Sequence, residues 1–209
     1  MKLIITRHAE STANKDGILA GRIPAISLSD EGRVQASKLA DVFKNIEIHR
    51  AFSSPIQRCL ETAEISLSGK RLDNLMDEFI EMDYGRWSGQ KLSDLNQDPM
   101  WRDVQLDPAN FTFPQGESFL ELRLRIQKGI TKLTNQCESN DVVVLFTHAD
   151  VVKMILSQLL DSPINKFQAI QISPASITLI EIEPEKLSIA GVNIMFDINT
   201  VSRWIKNAD

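Results

Sequence analysis

The chain has 209 residues, of which 43% are hydrophobic and 24% are charged, and its formal net charge is -5. This composition suffices for a full core, and we expect residues 1–209 to form one globular domain. The acidic balance argues against nucleic acid or an anionic membrane surface as a partner, because both require a basic field. No apolar run reaches the length of a membrane span or a signal peptide, so we expect a soluble cytoplasmic protein.

Cysteine and histidine usage excludes several kinds of site. Cys59 and Cys137 lie far apart without a CxxC spacing, which indicates buried thiols rather than a disulfide framework or a zinc cluster. Cys59 does not fit a cysteine-based phosphate loop, because Glu64 and Ile65 stand where such a loop needs an arginine. The three histidines lie in distant segments with no HxH pair, so we expect neither a metal site nor a cofactor.

Apolar runs of strand length alternate with segments of helical period along the first 67 residues. Strands are predicted over "KLIIT" and "RAFSS". A helix is predicted over "SDEGRVQASKLADVFKNI", with Ser29 or Asp30 as its N-cap. A second helix is predicted over "PIQRCLETAEISL", with Pro55 in its first turn.

The second half of the chain continues this alternation. Helices are predicted over "SFLELRLRIQKGITKL" and "VVKMILSQLL", and "DVVVLFT" predicts a strand that is covered on both faces. The C-terminal stretches "AIQISPASITLIEIE" and "LSIAGVNIMFD" predict shorter strands, antiparallel at a sheet edge. The pattern as a whole predicts an α/β fold, a three-layer α/β/α sandwich with a mostly parallel central sheet.

One segment, "NQDPMWRDVQLDPANFTFPQGES", is punctuated by proline and aspartate and shows no clear period. It is too short for a domain, so we interpret it as a lid or loop insertion.

Unusual polar residues follow the predicted strands. Arg7 and His8 follow "LIIT", Arg58 follows "FSSP", Glu81 lies in "EFIEMDYGRW", and His148 follows "VVVLFT". Taken singly, each is typical of a solvated charge or a structural histidine. The carboxyl ends of parallel strands meet at one edge, so the group together predicts a phosphate site with its own nucleophile and acid.

Five motifs carry a family resemblance: "TRHAES", "FSSPIQRCLETAE", "EMDYGRWSGQ", "FPQGES" and "FTHAD". In order and spacing they resemble the histidine phosphatase superfamily, and more narrowly its phosphoglycerate mutase-like branch. The stretch "LDPANFTFPQGES" with "ISPAS" further resembles a bacterial subgroup described as phosphomutases whose substrates are not assigned.

The resemblance implies a role for each matching residue. His8 would become phosphohistidine, His148 would be the second histidine, and Glu81 would donate a proton to the leaving group. Arg7, Arg58 and Asn14 would bind the phosphoryl oxygens, and Arg22 in "AGRIP" would face the substrate.

Two positions depart from the family pattern, because Ala9 replaces a glycine and "HAD" replaces "HGG". Alanine requires an ordinary or only slightly strained backbone after His8. Asp150 would either cap the following helix or face a polar substrate, and capping is the preferred interpretation. We expect an enclosed site or a neighbouring acid to raise the pKa of Glu81, and Asp83 is the candidate neighbour.

Three functions remain open from the sequence. The first is a metal-independent phosphomonoesterase that acts on a small phosphorylated metabolite through a phosphohistidine. The second is a phosphoglycerate mutase-type phosphomutase, and the third is a phospho-ligand binding module without turnover. The segment 88–116 is short and acidic, which favours hydrolysis. The substrate and the oligomeric state, including a homodimer, are left open.

Overall fold

The centre of the molecule is a six-stranded sheet, seen in a computed structural model that describes residues 1–183 and 186–206. The strands are β1 (Lys2–Arg7), β2 (Arg50–Ser53), β3 (Asn74–Leu75), β4 (Val142–Thr147), β5 (Ile177–Ile182) and β6 (Leu187–Ile194). Their order is β3-β2-β4-β1-β5-β6. The first four strands are parallel, whereas β5 and β6 are antiparallel. This arrangement confirms the predicted mostly parallel sheet with antiparallel strands towards one edge.

Helices cover both faces of the sheet. The α-helices are α1 (Thr12–Lys15), α2 (Asp30–Phe43), α3 (Gln57–Leu67), α4 (Leu92–Leu95), α5 (Trp101–Leu106), α6 (Phe119–Thr134), α7 (Ala149–Leu159) and α8 (Ile198–Lys206). Four 3-10 helices span Asp77–Phe79, Gly85–Trp87, Pro108–Asn110 and Ile164–Ala169. Helices α2, α3, α6 and α7 were predicted. Pro55 is a correction, because α3 has Ile56 as its N-cap and Pro55 therefore lies just outside the helix.

The core is divided by the sheet into two apolar clusters. Alternate residues of β1 point to opposite faces, so Leu3 and Ile5 pack with α6 and α7, while Ile4 packs with α2, α3 and α8. Strand β4 is buried along its whole length and alternates in the same way. The three predicted layers follow from this alternation.

Segment 88–116 is more ordered than the sequence indicated. It contains α4, α5 and a 3-10 turn, and its aromatic rings pack on Trp87. The ring centroids of Trp101 and Phe111 both lie 5.8 Å from that of Trp87. The buried side chains of Leu95 and Val104 join the same core cluster. A free lid is therefore wrong for this segment, which is part of the core.

The C-terminal helix α8 was not predicted, although its apolar stripe is clear once the helix is seen. Val201 is buried and Trp204 packs against the same cluster as α2. The Lys2 ammonium donates hydrogen bonds to the carbonyls of Trp204 and Ile205, which are among the free acceptors at the end of a helix. Within the described part of the chain, no helix combines the length and the apolar character needed to cross a bilayer.

Helix α2 begins against the loop that carries the residues after β1. Ser29 is its N-cap and accepts a hydrogen bond from the Gly32 amide, as predicted. A Cβ atom at Gly32 would lie only 1.9 Å from the carbonyl oxygen of Glu10. This position requires glycine, because two backbones meet there.

We expect Gly32→Ala to destabilise the fold by about 2 kcal/mol or more, because the added methyl group forces backbone apart. Thermal or urea unfolding would measure the loss. Glu31→Ala, at the exposed neighbouring position on α2, is the matched control and should change stability little. Equal stability of the two variants would contradict the close approach.

Candidate active site

Four chain segments bring their polar residues to one buried point. His8 follows β1, Arg58 lies in the first turn of α3 after β2, and His148 follows β4 as the N-cap of α7. Glu81 follows the 3-10 helix Asp77–Phe79. The imidazole centroids of His8 and His148 lie 5.3 Å apart. The convergence of these strand-end residues, which the sequence predicted, is seen directly.

Arg58 holds this group together. Its side chain is 1% exposed, and its Nε donates to His8 Nε2 at 3.1 Å. Its Nη2 donates to the carbonyl of Gly21 at 2.9 Å and approaches His148 Nδ1 at 3.2 Å. The same nitrogen lies 3.9 Å from Glu81 Oε2. One guanidinium therefore contacts both histidines and the carboxylate.

The hydrogen bonds of His8 define which ring nitrogen is free to react. Its Nδ1 lies 2.7 Å from the carbonyl oxygen of Ala9, an acceptor, so Nδ1 carries the proton. The lone pair is then on Nε2, which faces Arg58. Burial, and then the charges of Arg58 and Arg7, lower the pKa of His8 well below its ordinary value. His8 is accordingly neutral at pH 7 and has the form of a nucleophile.

The two ring nitrogens of His148 have the opposite roles from those of His8. Its Nε2 lies 2.8 Å from the hydroxyl of Ser54, and its Nδ1 faces the donor of Arg58, so Nε2–H donates to Ser54. Burial, together with Arg58, lowers the pKa of His148 well below its ordinary value. The protein's own groups therefore disfavour the cationic form of His148, whereas a phosphoryl dianion beside it would raise its pKa.

Arg7 and Arg58 each present a buried donor without a protein partner. Arg7 uses Nη1 for the carbonyl of Ile172 at 2.5 Å, and its Nε has no acceptor among the described residues. Arg58 Nη1 likewise has none. Buried polar groups are nearly always satisfied, so two such donors beside one nucleophile indicate an anionic ligand.

Glu81 has the properties of an acid and base that exchanges its proton near neutral pH. Its side chain is 9% exposed, and Oε2 lies 3.6 Å from His148 Nδ1. Burial and the charge of Asp150 raise the pKa of Glu81 to about 7, against the opposing effect of Arg58. The predicted rise is therefore seen, but its neighbouring acid is Asp150 rather than Asp83. The Asp83 carboxylate instead accepts a hydrogen bond from the Gly85 amide at 2.9 Å.

Glu117 organises the charges behind Glu81. Its carboxylate accepts hydrogen bonds from Arg125 at 2.8 and 2.9 Å and from Arg22 at 3.1 Å. Arg22 also donates from Nε to the carbonyl of Glu81 at 2.8 Å. Arg125 donates to the carbonyl of Ile80, the residue before Glu81, at 2.9 Å. The predicted substrate contact Arg22 is thus placed beside Glu81, with its guanidinium bound by protein groups.

Asn14 lies outside the group that Arg58 assembles. Its Oδ1 accepts hydrogen bonds from the Ser11 amide and hydroxyl, completing a capping box at α1. A phosphate contact by Asn14 stays a prediction. Ser118 forms the equivalent capping box with Glu121 at α6.

Asp150 does not cap α7, and that interpretation is corrected. The helix begins at Ala149, with His148 as the N-cap residue, so Asp150 lies inside the first turn. Its Oδ2 accepts a hydrogen bond from the Tyr84 hydroxyl at 2.9 Å, and its Oδ1 lies 3.2 Å from Lys153 Nζ. The carboxylate therefore links α7 to the loop of Glu81.

Ala9 is the other position that departs from the family pattern. Its φ is not positive, as expected for an alanine.

Some contributors were not recognised from the sequence. Ser54 orients His148, Tyr84 binds Asp150, and Arg125 holds the backbone before Glu81. Ser54 is the last residue of the predicted strand "RAFSS", and this position at a strand end is the one local signal that could have identified it. Arg125 looks like an ordinary helical charge in the sequence. Cys59 is fully buried beside His148, whereas Cys137 is only partly buried.

The polar atoms of the site also indicate whether it suits a metal ion or an anion. The ligand-type atoms of His8, Glu81 and His148 lie within 4.8 Å of one another, close enough to hold a metal. Arg58, however, donates to His8 Nε2 and faces His148 Nδ1, so a positive group occupies the two lone pairs that a metal would need. The field of two buried arginines favours an anion.

A buried, neutral histidine beside two buried arginines, with a carboxyl group of raised pKa close by, is the arrangement expected of an enzyme of phosphoryl transfer. Residues 3–195 match the family model described as the histidine phosphatase superfamily, branch 1. The chain belongs to this superfamily, and the resemblance seen in the sequence is confirmed.

Relatives and solved structures agree with this assignment. Phosphoserine phosphatase 1 of Hydrogenobacter thermophilus is 30% identical over 198 residues, covering 93% of this chain and 92% of that protein. The 2,3-bisphosphoglycerate-dependent phosphoglycerate mutase of Thermoplasma acidophilum is 29% identical over 196 residues, covering 93% and 94%. A mutant phosphoserine phosphatase of Entamoeba histolytica, solved with phosphoserine, has a TM-score of 0.81 at 25% identity, covering 96% and 98%.

We expect Asp150→Asn to lower the pKa of Glu81, because it removes a negative charge that disfavours the ionised carboxyl. Glu81 must be protonated to donate, so activity falls as pH rises through its pKa. The alkaline limb of the kcat/KM profile should move to lower pH. Between pH 6.5 and 9, steady-state rates with an aryl phosphate would show the shift.

Asp83→Asn is the matched control, since Asp83 is bound by the Gly85 amide and faces Arg22. Its alkaline limb should stay at the wild-type position. A shift in this control, with none in Asp150→Asn, would assign the neighbouring acid to Asp83 instead.

Proposed function

We propose that this protein, acting as one domain over residues 1–209 in the cytoplasm, hydrolyses the phosphate monoester of a small metabolite in two steps. His8 is the nucleophile and Glu81 is the acid and base. Arg7, Arg58 and His148 hold the phosphoryl group. The relatives named as phosphoserine phosphatases support a small phosphorylated substrate.

One observation carries the proposal. The unprotonated Nε2 of His8 lies beside two buried arginines, each with a donor that has no acceptor among the described residues. A phosphoryl group placed there would satisfy both donors and would lie in front of the lone pair. Planar guanidinium groups match the charge that spreads over the equatorial oxygens in the transition state.

In the first step His8 Nε2 attacks phosphorus and the bond from phosphorus to the ester oxygen breaks. The proton of Glu81 passes to the leaving oxygen, so the alcohol departs neutral and Glu81 becomes a carboxylate. For this attack, Arg58 Nε must stop donating to His8 Nε2 and donate to a phosphoryl oxygen instead. The Nδ1–H bond of His8 to the Ala9 carbonyl stabilises the charge that develops on the ring.

In the second step the Glu81 carboxylate accepts a proton from water, and the water oxygen attacks phosphorus. The bond from phosphorus to Nε2 breaks, inorganic phosphate leaves, and Glu81 is again protonated. A pKa of about 7 lets one residue serve both steps near neutral pH.

A mutase is the second candidate, because the Thermoplasma acidophilum relative is named as one. Such an enzyme must hold a second anionic group while its intermediate reorients. The two arginines behind Glu81 are already paired, since Glu117 holds Arg22 and Arg125. This pairing favours hydrolysis over return of the phosphoryl group to a second anionic substrate.

We expect His8→Ala to lower turnover at least about a thousandfold, because the attacking nitrogen is removed. Acid-labile phosphate on the protein should also disappear, and rapid quenching with a labelled substrate would detect it. His49→Ala removes the exposed third histidine and is the matched control, which should keep the phosphoenzyme. Labelling that survives in His8→Ala with a native circular dichroism spectrum would overturn the mechanism.

Activity should persist after treatment with EDTA, because the two buried arginines supply the positive charge that a metal ion gives elsewhere. Phosphate release would be measured before and after dialysis against the chelator. Loss of activity that one divalent metal specifically restores would contradict this expectation.

Hydrolysis should outrun isomerisation. With 3-phosphoglycerate as substrate, phosphorus NMR would follow inorganic phosphate and 2-phosphoglycerate together. We expect phosphate to accumulate faster, because Glu117 already binds Arg22 and Arg125, the arginines beside the Glu81 loop. Isomer formation that exceeds phosphate release would promote the mutase.

A further inference from the structure

Asp150 and Lys153 form an ion pair on α7, beginning two residues after His148. Their charged atoms lie 3.2 Å apart, and each side chain is 16% exposed, so the pair is reachable from solvent but mostly enclosed. We propose that this pair recognises the ammonium and carboxylate groups of a phosphorylated amino acid. The inference rests on the proposed function, in which Arg7 and Arg58 hold the phosphate of the same molecule.

The pair lies close to the elements that carry the phosphate site. Tyr84 belongs to the loop of Glu81, and its hydroxyl donates to Asp150 Oδ2 at 2.9 Å. On the other side, Lys153 approaches Gln168 Oε1 at 3.5 Å, and four residues further on the Ile172 carbonyl binds Arg7. After burial, the charge of Asp150 is the next cause of the raised Glu81 pKa, and it partly opposes the lowering of the Arg7 pKa by burial, which is consistent with this placement.

Both members of the pair retain hydrogen-bonding capacity. Each oxygen of Asp150 has one protein partner, so each can accept a second hydrogen bond. The Lys153 ammonium has three donors, of which one faces Asp150 and one faces Gln168. Its nitrogen also lies 5.1 Å above the ring of Phe167, which holds the side chain in place. The remaining donor can bind a carboxylate without breaking the pair.

An α-amino acid has the complementary arrangement. Its ammonium nitrogen and nearest carboxylate oxygen lie roughly 3 Å apart, a spacing fixed by two bonds on either side of Cα. This matches the distance between the charged atoms of Asp150 and Lys153. A zwitterion can therefore lie head to tail on the pair, so that four alternating charges satisfy one another.

Substrates with only one of these charges fit less well. An ammonium alone would meet Asp150 but leave the last donor of Lys153 without an acceptor once water is displaced. A carboxylate alone would bring negative charge to Asp150 without compensation. Sites built to bind polar groups reject analogues that lack those groups, because the site's own groups are then left unpaired.

The test uses four phosphate esters that differ only in these charges. They are O-phosphoserine with both groups, O-phosphoethanolamine with the ammonium, 3-phosphonooxypropanoate with the carboxylate, and ethyl phosphate with neither. We expect kcat/KM for phosphoserine to exceed that for each of the others by about tenfold or more. Every value is divided by that for ethyl phosphate, so that any effect on the chemical step cancels.

Variants assign the two charges separately. Asp150→Asn should remove the advantage conferred by the ammonium, and Lys153→Met should remove the advantage conferred by the carboxylate. Lys128→Met, at an exposed lysine of α6, is the matched control and should keep the wild-type ratios. Equal ratios for all four esters in the wild type, or unchanged ratios in both α7 variants, would overturn the inference.

Binding measurements distinguish a failure of this inference from a failure of the proposed function. Calorimetry with His8→Ala measures the affinity for phosphoserine and ethyl phosphate when the nucleophile is absent. A preference for phosphoserine that Asp150→Asn abolishes supports recognition by the pair, even if the wild type hydrolyses none of the esters. Failure to hydrolyse any ester would overturn only the proposed reaction. Hydrolysis of ethyl phosphate without any preference in rate or binding would overturn only this inference.

Discussion

The site depends on one buried guanidinium. Arg58 is almost completely removed from water, and its guanidinium lies beside two imidazoles and a carboxyl group. Its field lowers the histidine pKa values and opposes the rise of the Glu81 pKa. Burying such a charge is costly unless it is paired, so a phosphoryl dianion completes an arrangement that the protein leaves electrostatically unbalanced.

Further ion pairs surround the group of residues that contact Arg58. Glu117 joins Arg22 and Arg125 behind Glu81, while Asp150 joins Lys153 and Tyr84 in front of it. These contacts fix the loop that carries the acid, and Glu117 binds two arginines that could otherwise hold a second anion. Positioning and selectivity therefore arise from the same hydrogen bonds.

Sequence reasoning succeeded where the fold makes residues converge by rule. His8, Arg58 and His148 could be grouped because strands of a parallel sheet end at one edge. It failed where tertiary contacts override local preference. The aspartate rule for helix caps misplaced Asp150, since the extended backbone of His148 already begins the helix. Arg125 could not be recognised, because the backbone carbonyls that it binds near Glu81 lie more than 40 residues away in the chain.

The pairing of β1 with β4 has a consequence for how the protein folds. Lys2 lies opposite Val142, and Arg7 lies opposite Thr147, so contacts of very long sequence separation bring His8 to His148. The entropy cost of closing such a loop comes before its contacts can stabilise the chain, so parallel pairing of this kind is slow. The catalytic pocket is therefore assembled late, and chains that have not joined these strands have no phosphate site with which to sequester metabolites.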